Sequence, residues 1–262
     1  MISSMQNQQI KKIKLLQKKS KARIEQNAFI IEGIKMFEES KTEGNLIKSY
    51  FSLSFYENKL KEKSEFFQDL TYEVIEDDTF NKLSDTSTPQ GVLALVEKPG
   101  YNMADMIEDA NSTLLLLENI QDPGNLGTMV RTAEAAGFTG LILSHDCVDM
   151  LNPKVVRSTM GGIFRMPFVY VEDFKEVLYE IKRKNITIYA SHLEGKSYYD
   201  EASYPRRCAI LIGNESTGLR SDTTKLADDL VKIPMQGKVE SLNAGVAASI
   251  MMYEVFRGRR SN

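Results

Sequence analysis

The stretch Lys238-Val-Glu-Ser-Leu-Asn-Ala-Gly-Val-Ala-Ala-Ser-Ile-Met-Met-Tyr-Glu-Val-Phe-Arg257 is the most informative segment of this 262-residue chain. Ser241 precedes an apolar run and predicts a helix N-cap, because its hydroxyl can accept from a free amide of the first turn. The residues that follow are small or apolar on nearly every face, which predicts a helix buried in a large core or between two chains. Ser241 and Asn243 are then predicted to lie at the buried N-terminal end of this helix, where their polar groups need hydrogen-bond partners. A ligand or substrate is one such partner, and a capped core helix without a ligand is the alternative.

Composition limits the class of protein. Hydrophobic residues make up 42% of the chain and charged residues 26%, as in soluble globular proteins. No apolar run approaches the roughly 18 residues that a membrane span needs, and the charged N-terminus lacks the hydrophobic segment of a secretory signal. Cys147 and Cys208 lack the spacing of metal ligands. We therefore expect a cytoplasmic protein with reduced cysteines, no metal site and no membrane partner.

The charge is unevenly distributed although the net charge is only -3. Residues 1–24 contain basic side chains and no acid, and three arginines lie near the other end of the chain. The basic residues are Lys11, Lys12, Lys14, Lys18, Lys19, Lys21, Arg23, Arg257, Arg259 and Arg260. Basic ends on an acidic body predict contacts with RNA phosphates, and a solvated basic helix is the alternative.

Residues 1–97 are predicted to form a small α/β domain, because strand and helix patterns alternate along them. A basic helix is expected over 5–23. Strands are expected at 29–33, 47–53, 71–75 and 90–96, and helices at 34–39, 55–67 and 78–83. Lys98-Pro-Gly100 breaks the pattern, so residues 98–112 are predicted to be a linker with one helical turn.

Residues 113–262 are predicted to form an open, mostly parallel sheet with helices on both faces. The expected strands are 113–118, 141–143, 186–189, 208–212 and 230–233, and the helices 126–136, 153–160, 172–184 and 218–226. Ligands of such sheets bind beyond the carboxyl ends of the strands.

Three strand-end loops, at 119–127, 213–218 and 234–238, are rich in Gly, Asn and Ser and have Arg131 and Glu215 in or near them. They predict a site for an uncharged or zwitterionic ligand. They lack a Walker lysine, a GxGxxG fingerprint and a GxSxG elbow.

Three segments in these loops resemble the motifs of a known family. They are Asp122-Pro-Gly-Asn-Leu-Gly-Thr-Met-Val-Arg131, Ile212-Gly-Asn-Glu-Ser-Thr-Gly-Leu219 and Glu240-Ser-Leu-Asn-Ala-Gly-Val-Ala247. Their order and spacing resemble the SpoU (TrmH) RNA 2′-O-ribose methyltransferases of the SPOUT class over about residues 113–257, and residues 152–167 are similar to the family's middle segment. Phe29-Ile-Ile-Glu-Gly33 and Ser87-Thr-Pro-Gln-Gly-Val-Leu-Ala94 resemble the ribosomal-protein-like, substrate-binding domain of the rRNA branch.

The resemblance implies methyl transfer from S-adenosyl-L-methionine (AdoMet) to a ribose 2′-hydroxyl of structured RNA. It also implies a trefoil knot around the AdoMet pocket and a homodimer formed through the C-terminal domain. The additional front domain favours rRNA, 23S rRNA above all, over tRNA. A tRNA ribose 2′-O-methyltransferase and an RNA-binding module without catalytic activity are the alternatives.

The family motifs assign catalytic roles to five residues. Arg131 is expected to hold the phosphate beside the target ribose and to stabilise charge, since a guanidinium with a pKa above ~12 rarely accepts a proton. Asn125 is expected to orient Arg131 or the ribose, or else to cap a helix. Glu215 orders its loop, assists with the proton or forms a structural salt bridge. Ser241 and Asn243 bond the substrate or Asn125.

Binding residues are assigned by the same resemblance. AdoMet contacts are expected, mostly through backbone atoms, at Leu193, Gly213, Ile233 and Leu242. RNA phosphates are expected at Arg157, Arg165, Lys11 and Lys12. His145 and His192 are predicted to be structural. The third motif departs from the common Ser-Leu-Asn-Val-Ser at Ala244-Gly245, which is expected to change packing at the helix start and to shift AdoMet affinity.

Overall fold

The computed structural model describes residues 1–260. The helices are α1 (Gln8–Lys18), α2 (Ser20–Glu25), α3 (Ile34–Thr42), α4 (Leu53–Glu62), α5 (Asp77–Leu83), α6 (Met103–Glu108), α7 (Pro123–Ala135), α8 (Pro153–Ser158), α9 (Phe174–Arg183), α10 (Ser221–Thr224) and α11 (Ala244–Arg260). The strands are β1 (Ala28–Glu32), β2 (Leu46–Ser52), β3 (Tyr72–Ile75), β4 (Val92–Glu97), β5 (Thr113–Leu117), β6 (Gly140–Ser144), β7 (Phe168–Val171), β8 (Thr187–Ser191), β9 (Ser197–Tyr198), β10 (Cys208–Ile212) and β11 (Asp229–Lys232).

The chain divides into two compact units. The first comprises Met1–Gly100 and Leu151–Phe164, and the second comprises Tyr101–Met150 and the residues from Arg165 onward. The sequence analysis assigned residues 151–164 to the second domain. They pack with the first unit because Val155 and Val156 are buried and the ring of Phe164 stacks 6.2 Å from that of Phe29.

The predicted linker also contains more structure than expected. Residues 103–108 form α6, and Met106 and Ile107 lie in the core of the second unit. Burial of two large apolar side chains is enough to hold a short helix that its own propensity would not stabilise.

The first unit is built on a four-stranded sheet in the order β1-β4-β2-β3, in which β4 is antiparallel to both β1 and β2. The basic segment in front of it is two helices, where the sequence predicted one helix over 5–23. The break falls at Lys19, whose backbone is extended. Arg23 stabilises it, since its buried side chain donates to the free carbonyls of Leu16 at 2.6 Å and Gln17 at 3.2 Å.

The second unit contains a seven-stranded, all-parallel sheet in the order β7-β6-β5-β10-β8-β11-β9. Its central strands β5 and β10 are buried at every position, as expected of continuous apolar runs covered on both faces. The α/β class and the parallel sheet predicted from the sequence are confirmed. The knot stays a prediction.

The last helix begins three residues later than the N-cap predicted at Ser241. The first residue of α11 is Ala244, and the side chain of Asn243 accepts a hydrogen bond from the amide of Val246 at 3.2 Å. Asn caps a helix as well as Ser does, and Asn243 directly precedes the helix. Within residues 1–260, no helix is both long and apolar enough to cross a bilayer.

Candidate active site

A cavity of about 530 Å³ lies at the carboxyl ends of β8, β10 and β11, beside the first turn of α11. Its volume is within the range of small-molecule sites, roughly 300–1,000 Å³. The four residues predicted to contact AdoMet all line it, and so do Ser241 and Glu215. The lining is Ser191, His192, Leu193, Glu194, Ile212, Gly213, Asn214, Glu215, Ser216, Thr217, Gly218, Leu219, Ile233, Met235, Ser241, Leu242, Ala244 and Ala247.

The loop after β10 is folded tightly on itself. The backbones of Asn214 and Gly218 exchange two hydrogen bonds, of 3.1 and 3.0 Å, and Gly218 has a φ of 70°. A β-carbon on Gly213 would overlap the backbone of Gly218 and Leu219, so only glycine fits at that position. This wall of the cavity is therefore made of backbone in one defined conformation.

Glu215 fastens that loop to the loop after β5. Its carboxylate accepts from the amides of Asp122 at 3.0 Å and Gln121 at 3.2 Å, and from the side chain of Asn125 at 3.1 Å. Burial alone would raise the pKa of Glu215, but these hydrogen bonds outweigh it and hold the pKa below its ordinary value. Glu215 is thus an ionised carboxylate with both oxygens engaged. This arrangement suits a residue that orders the loop better than one that accepts a proton.

Asn125 links three chain segments. It lies buried near the start of α7, donates to Glu215, and accepts from the side-chain amide of Asn243 at 2.8 Å. The N-cap of α7 is Asp122, whose carboxylate accepts from the amide of Asn125 at 2.8 Å. Capping is therefore not the role of the Asn125 side chain, which connects the motif loops instead.

The departure at Gly245 lies against this pair. A β-carbon there would be 3.2 Å from Oδ1 of Asn243 and 3.3 Å from Oδ1 of Asn125. These distances are tighter than ordinary contact. A larger side chain at 245 would press on the hydrogen bond that joins α7 to α11.

Arg131 and Ser241 are not part of the hydrogen-bonded network that joins the other three predicted catalytic residues. Arg131 lies six residues beyond Asn125 on α7 and is exposed, and its side chain forms no hydrogen bond or ion pair within residues 1–260. It does not line the cavity. Ser241 lines the cavity, but Asn243 is the residue that contacts Asn125. The structure therefore brings together Asn125, Glu215 and Asn243, and leaves Arg131 free to meet a partner from outside.

A second set of hydrogen bonds holds the C-terminal end of the loop after β10, and the sequence analysis missed it. Glu118, at the end of β5, is 1% exposed and accepts from the amide of Arg220 at 2.8 Å and from the hydroxyl of Thr223. The guanidinium of Arg220 also pairs with Asp146. Burial would raise the pKa of Asp146, but hydrogen bonds from Ser144 and Arg220 hold it below its usual range. An acid that directly follows a fully buried strand was the signal that a charge partner must lie nearby.

Two further residues complete the loop walls. The side-chain amide of Asn214 donates to the carbonyl of Asn119 at 2.8 Å, and its oxygen accepts from the amides of Ser216 and Thr217. His192, predicted to be structural, lines the cavity and accepts at Nδ1 from the amide of Glu194 at 3.2 Å. His145 is exposed and lies outside the cavity lining.

The predicted RNA-binding residues fall into two groups. Arg157 is paired with Asp85 at 2.8 Å in the first unit, and Arg165 with Glu134 at 3.0 Å in the second. Lys11 and Lys12 are exposed on α1, and residues 1–260 provide no ion pair for either. The lysines are therefore more available to an outside partner than the two arginines, and RNA contact by any of the four stays a prediction. In the described part of the chain, no group of three or more His, Cys, Asp or Glu side chains could hold a metal ion.

Two family models together match most of the chain. Residues 112–253 match the model of the SpoU rRNA methylase family, and residues 7–94 match that of the MRM3-like substrate-binding domain. The 23S rRNA (guanosine(2553)-2′-O)-methyltransferase RlmP of Bacillus subtilis is 31% identical over 254 residues, which cover 97% of this chain and 98% of that protein.

Solved structures agree over nearly the full length. The SpoU methyltransferase AviRb of Streptomyces viridochromogenes, in complex with the cofactor AdoMet, has a TM-score of 0.83 and 26% identity over 98% of this chain and 100% of that chain. An AdoMet-bound rRNA methyltransferase of Sinorhizobium meliloti has a TM-score of 0.82 and 27% identity over 98% of this chain and 97% of that chain.

Proposed function

The chain belongs to the SpoU rRNA methylase family, and we propose that it transfers a methyl group from AdoMet to a ribose 2′-hydroxyl of structured RNA, with 23S rRNA as the substrate. The observation that carries the proposal is the cavity at the strand ends, whose wall is fixed by the hydrogen-bonded chain Asn243–Asn125–Glu215. Each of these three residues belongs to a different family motif, so their hydrogen bonds join all three motifs.

The cavity fits AdoMet by its size and by the chemistry of its lining. Leu193, Ile233 and Leu242 provide apolar surface, and the Gly213 loop allows close approach to backbone amides and carbonyls. Glu194 and Glu215 are the charged residues of the lining, and neither is a cation that would repel a sulfonium. AdoMet, when bound, supplies a methyl group already activated for displacement by an oxygen nucleophile.

The chain's own residues have to position the ribose and manage charge. Asn125 and Asn243 are held by each other and by Glu215, so their remaining hydrogen-bonding capacity is oriented in advance. Arg131, exposed and unpaired within the described residues, is suited to a substrate phosphate. Ser241 presents a hydroxyl to the cavity. We do not assign proton acceptance to Glu215, because its pKa is lowered and both oxygens are occupied.

Two observations support rRNA over tRNA as the substrate, and a third supports a homodimer. The first unit contains a match to a substrate-binding family model, and exposed Lys11 and Lys12 lie on its first helix. The relative from Bacillus subtilis is named for 23S rRNA. Apolar residues Val246 and Tyr253 are exposed on α11, as a homodimer through the second unit requires. From the family resemblance we also propose a trefoil knot around the AdoMet pocket. We propose a cytoplasmic location, where ribosomes are assembled.

The test combines binding with substrate sorting. AdoMet binding is measured by calorimetry, and methyl incorporation is then measured in parallel with protein-free 23S rRNA and with total tRNA. The proposal predicts binding and transfer to 23S rRNA. Transfer to tRNA alone would favour the tRNA enzyme, and binding of RNA without transfer would favour the inactive module.

A further inference from the structure

A basic surface lies at the amino ends of β5 and β10, at the opposite edge of the sheet from the AdoMet cavity. We call it the arginine surface, and it consists of Arg206, Arg207 and Arg259. A recess of about 440 Å³ opens in it, lined by Asn111, Tyr204, Arg206, Gly258 and Arg259. Arg206 lies just before β10, and Arg259 lies in the last turn of α11.

The hydrogen bonds that fix this surface go to neutral acceptors. The Nη2 of Arg259 donates to the carbonyl of Arg206 at 2.7 Å and to the hydroxyl of Thr113. Arg207 donates to the carbonyl of Ile107 at 2.6 Å. The guanidinium groups of Arg207 and Arg259 are thereby held in place while their positive charge is kept.

No carboxylate in residues 1–260 forms an ion pair with any of the three guanidinium groups. The buried Nε atoms of Arg207 and Arg259 have no acceptor in the described chain either. Glu254 acts electrostatically on Tyr204 in the recess, but Arg257 binds its carboxylate through both Nε and Nη2. Other arginines of the second unit differ, since Arg165, Arg183 and Arg220 each pair with an acid.

We propose that the arginine surface binds the phosphate backbone of the RNA substrate, away from the ribose that is methylated. The inference rests on the proposed function, because an RNA substrate is the polyanion that this enzyme has to hold. Fixed guanidinium forks match phosphate oxygens, and uncompensated charge favours a polyanion. Gly213 lies seven positions after Arg206 and five of the residues between them form β10, so the two sites lie at most roughly 23 Å apart at ~3.3 Å per residue. An RNA that contacts both sites must span about this distance.

The test reverses charge at Arg206, which is exposed and whose side chain donates no hydrogen bond within residues 1–260. The variant is Arg206→Glu, and the matched control is Arg183→Glu, an exposed residue of α9 that is paired with an acid. Affinity for in vitro transcribed 23S rRNA is measured across a series of KCl concentrations. We expect at least tenfold weaker binding than in the control, and a log–log salt slope smaller by about 1–2. AdoMet affinity should not change.

The outcomes separate this inference from the proposed function. If the wild-type chain methylates 23S rRNA and the arginine-surface variant equals the control in affinity and slope, only the inference fails. If the wild-type chain binds AdoMet but neither binds nor methylates RNA, both fail. A defect seen on assembled large ribosomal subunits but not on naked rRNA would assign the surface to a ribosomal protein and overturn the RNA assignment.

Discussion

At the scale of single residues, Glu215 is the group on which the order of the cavity wall depends most directly. Glu215→Gln keeps the shape but replaces an ionised acceptor with an amide that has one acceptor oxygen for three donors. Hydrogen bonds to charged groups contribute roughly 1.5–3 kcal/mol, so AdoMet affinity should fall about tenfold or more. Calorimetry measures this fall. Glu172→Gln, exposed and outside the cavity lining, is the control and should bind normally.

The lowered pKa of Glu215 also predicts how the affinity for AdoMet depends on pH. A carboxylate with a depressed pKa stabilises its loop fully above its ordinary value of 4.5 and loses that contribution as pH falls through the lowered pKa. AdoMet affinity of the wild-type chain should therefore be constant near neutrality and decline only below about pH 4.5. A decline between pH 6 and 8 that Glu215→Gln abolishes would contradict the ionised, ordering role.

Gly213 tests whether backbone packing shapes the cavity. Gly213→Ala places a methyl group inside the backbone of Gly218 and Leu219, so the loop must unfold or shift. We expect AdoMet affinity to fall by more than a hundredfold while the overall fold is kept. Gly237→Ala is the matched control, since a β-carbon there meets nothing within 4 Å. Equal binding by both variants would show that the cavity does not hold the cofactor.

A change at Arg131 is expected to lower methyl transfer and not AdoMet affinity, because Arg131 lies outside the cavity lining. Arg131→Ala should lower methyl transfer on the order of 10²–10³-fold, the cost of removing one charge-stabilising donor. AdoMet affinity should stay near that of the wild-type chain, and Arg131→Lys should recover little activity because an ammonium lacks the planar fork. A comparable loss in AdoMet binding would refute the phosphate-binding role.

At the scale of elements, α11 presents an apolar stripe to solvent on the opposite side from its buried contacts. Val246 is 46% and Tyr253 49% exposed, and the half-buried Ile250 and Phe256 lie between and beside them. Val246→Asp with Tyr253→Asp should convert a dimer into monomers in analytical ultracentrifugation. Tyr179→Asp, at 48% exposure on α9, is the control and should leave the assembly unchanged. A wild-type chain that sediments as a monomer would contradict the homodimer.

The elements also show which parts of the fold a sequence can predict. Long apolar runs such as those of β5 and β10 were predicted because burial on both faces leaves a continuous pattern. Strands β7 and β9 were missed because Phe168–Val171 and Ser197–Tyr198 are short and only partly buried. The bond from Asn243 to Asn125 and the hydrogen bonds of Glu118 join residues distant in sequence, which no local pattern specifies.

At the scale of the whole molecule, the proposed substrate-binding role of the first unit cannot be tested by deleting residues 1–97. Such a deletion would strip Val155, Val156 and Phe164 of the core that covers them, because residues 151–164 pack with the first unit. Lys11→Glu with Lys12→Glu is the sharper change, since both side chains are exposed and unpaired in the described chain. We expect weaker binding of 23S rRNA with a reduced salt slope and normal AdoMet affinity. Unchanged rRNA binding would remove α1 from the RNA surface.

The most direct test of the proposed chemistry follows a labelled methyl group from AdoMet into 23S rRNA and then hydrolyses the RNA with alkali. Alkaline cleavage needs a free 2′-hydroxyl, so a 2′-O-methyl group protects the adjacent phosphodiester bond. Ribose methylation predicts that the label is recovered in an alkali-resistant dinucleotide, and that Asn125→Ala abolishes it. Label recovered in mononucleotides would place the methyl on a base and contradict 2′-O transfer.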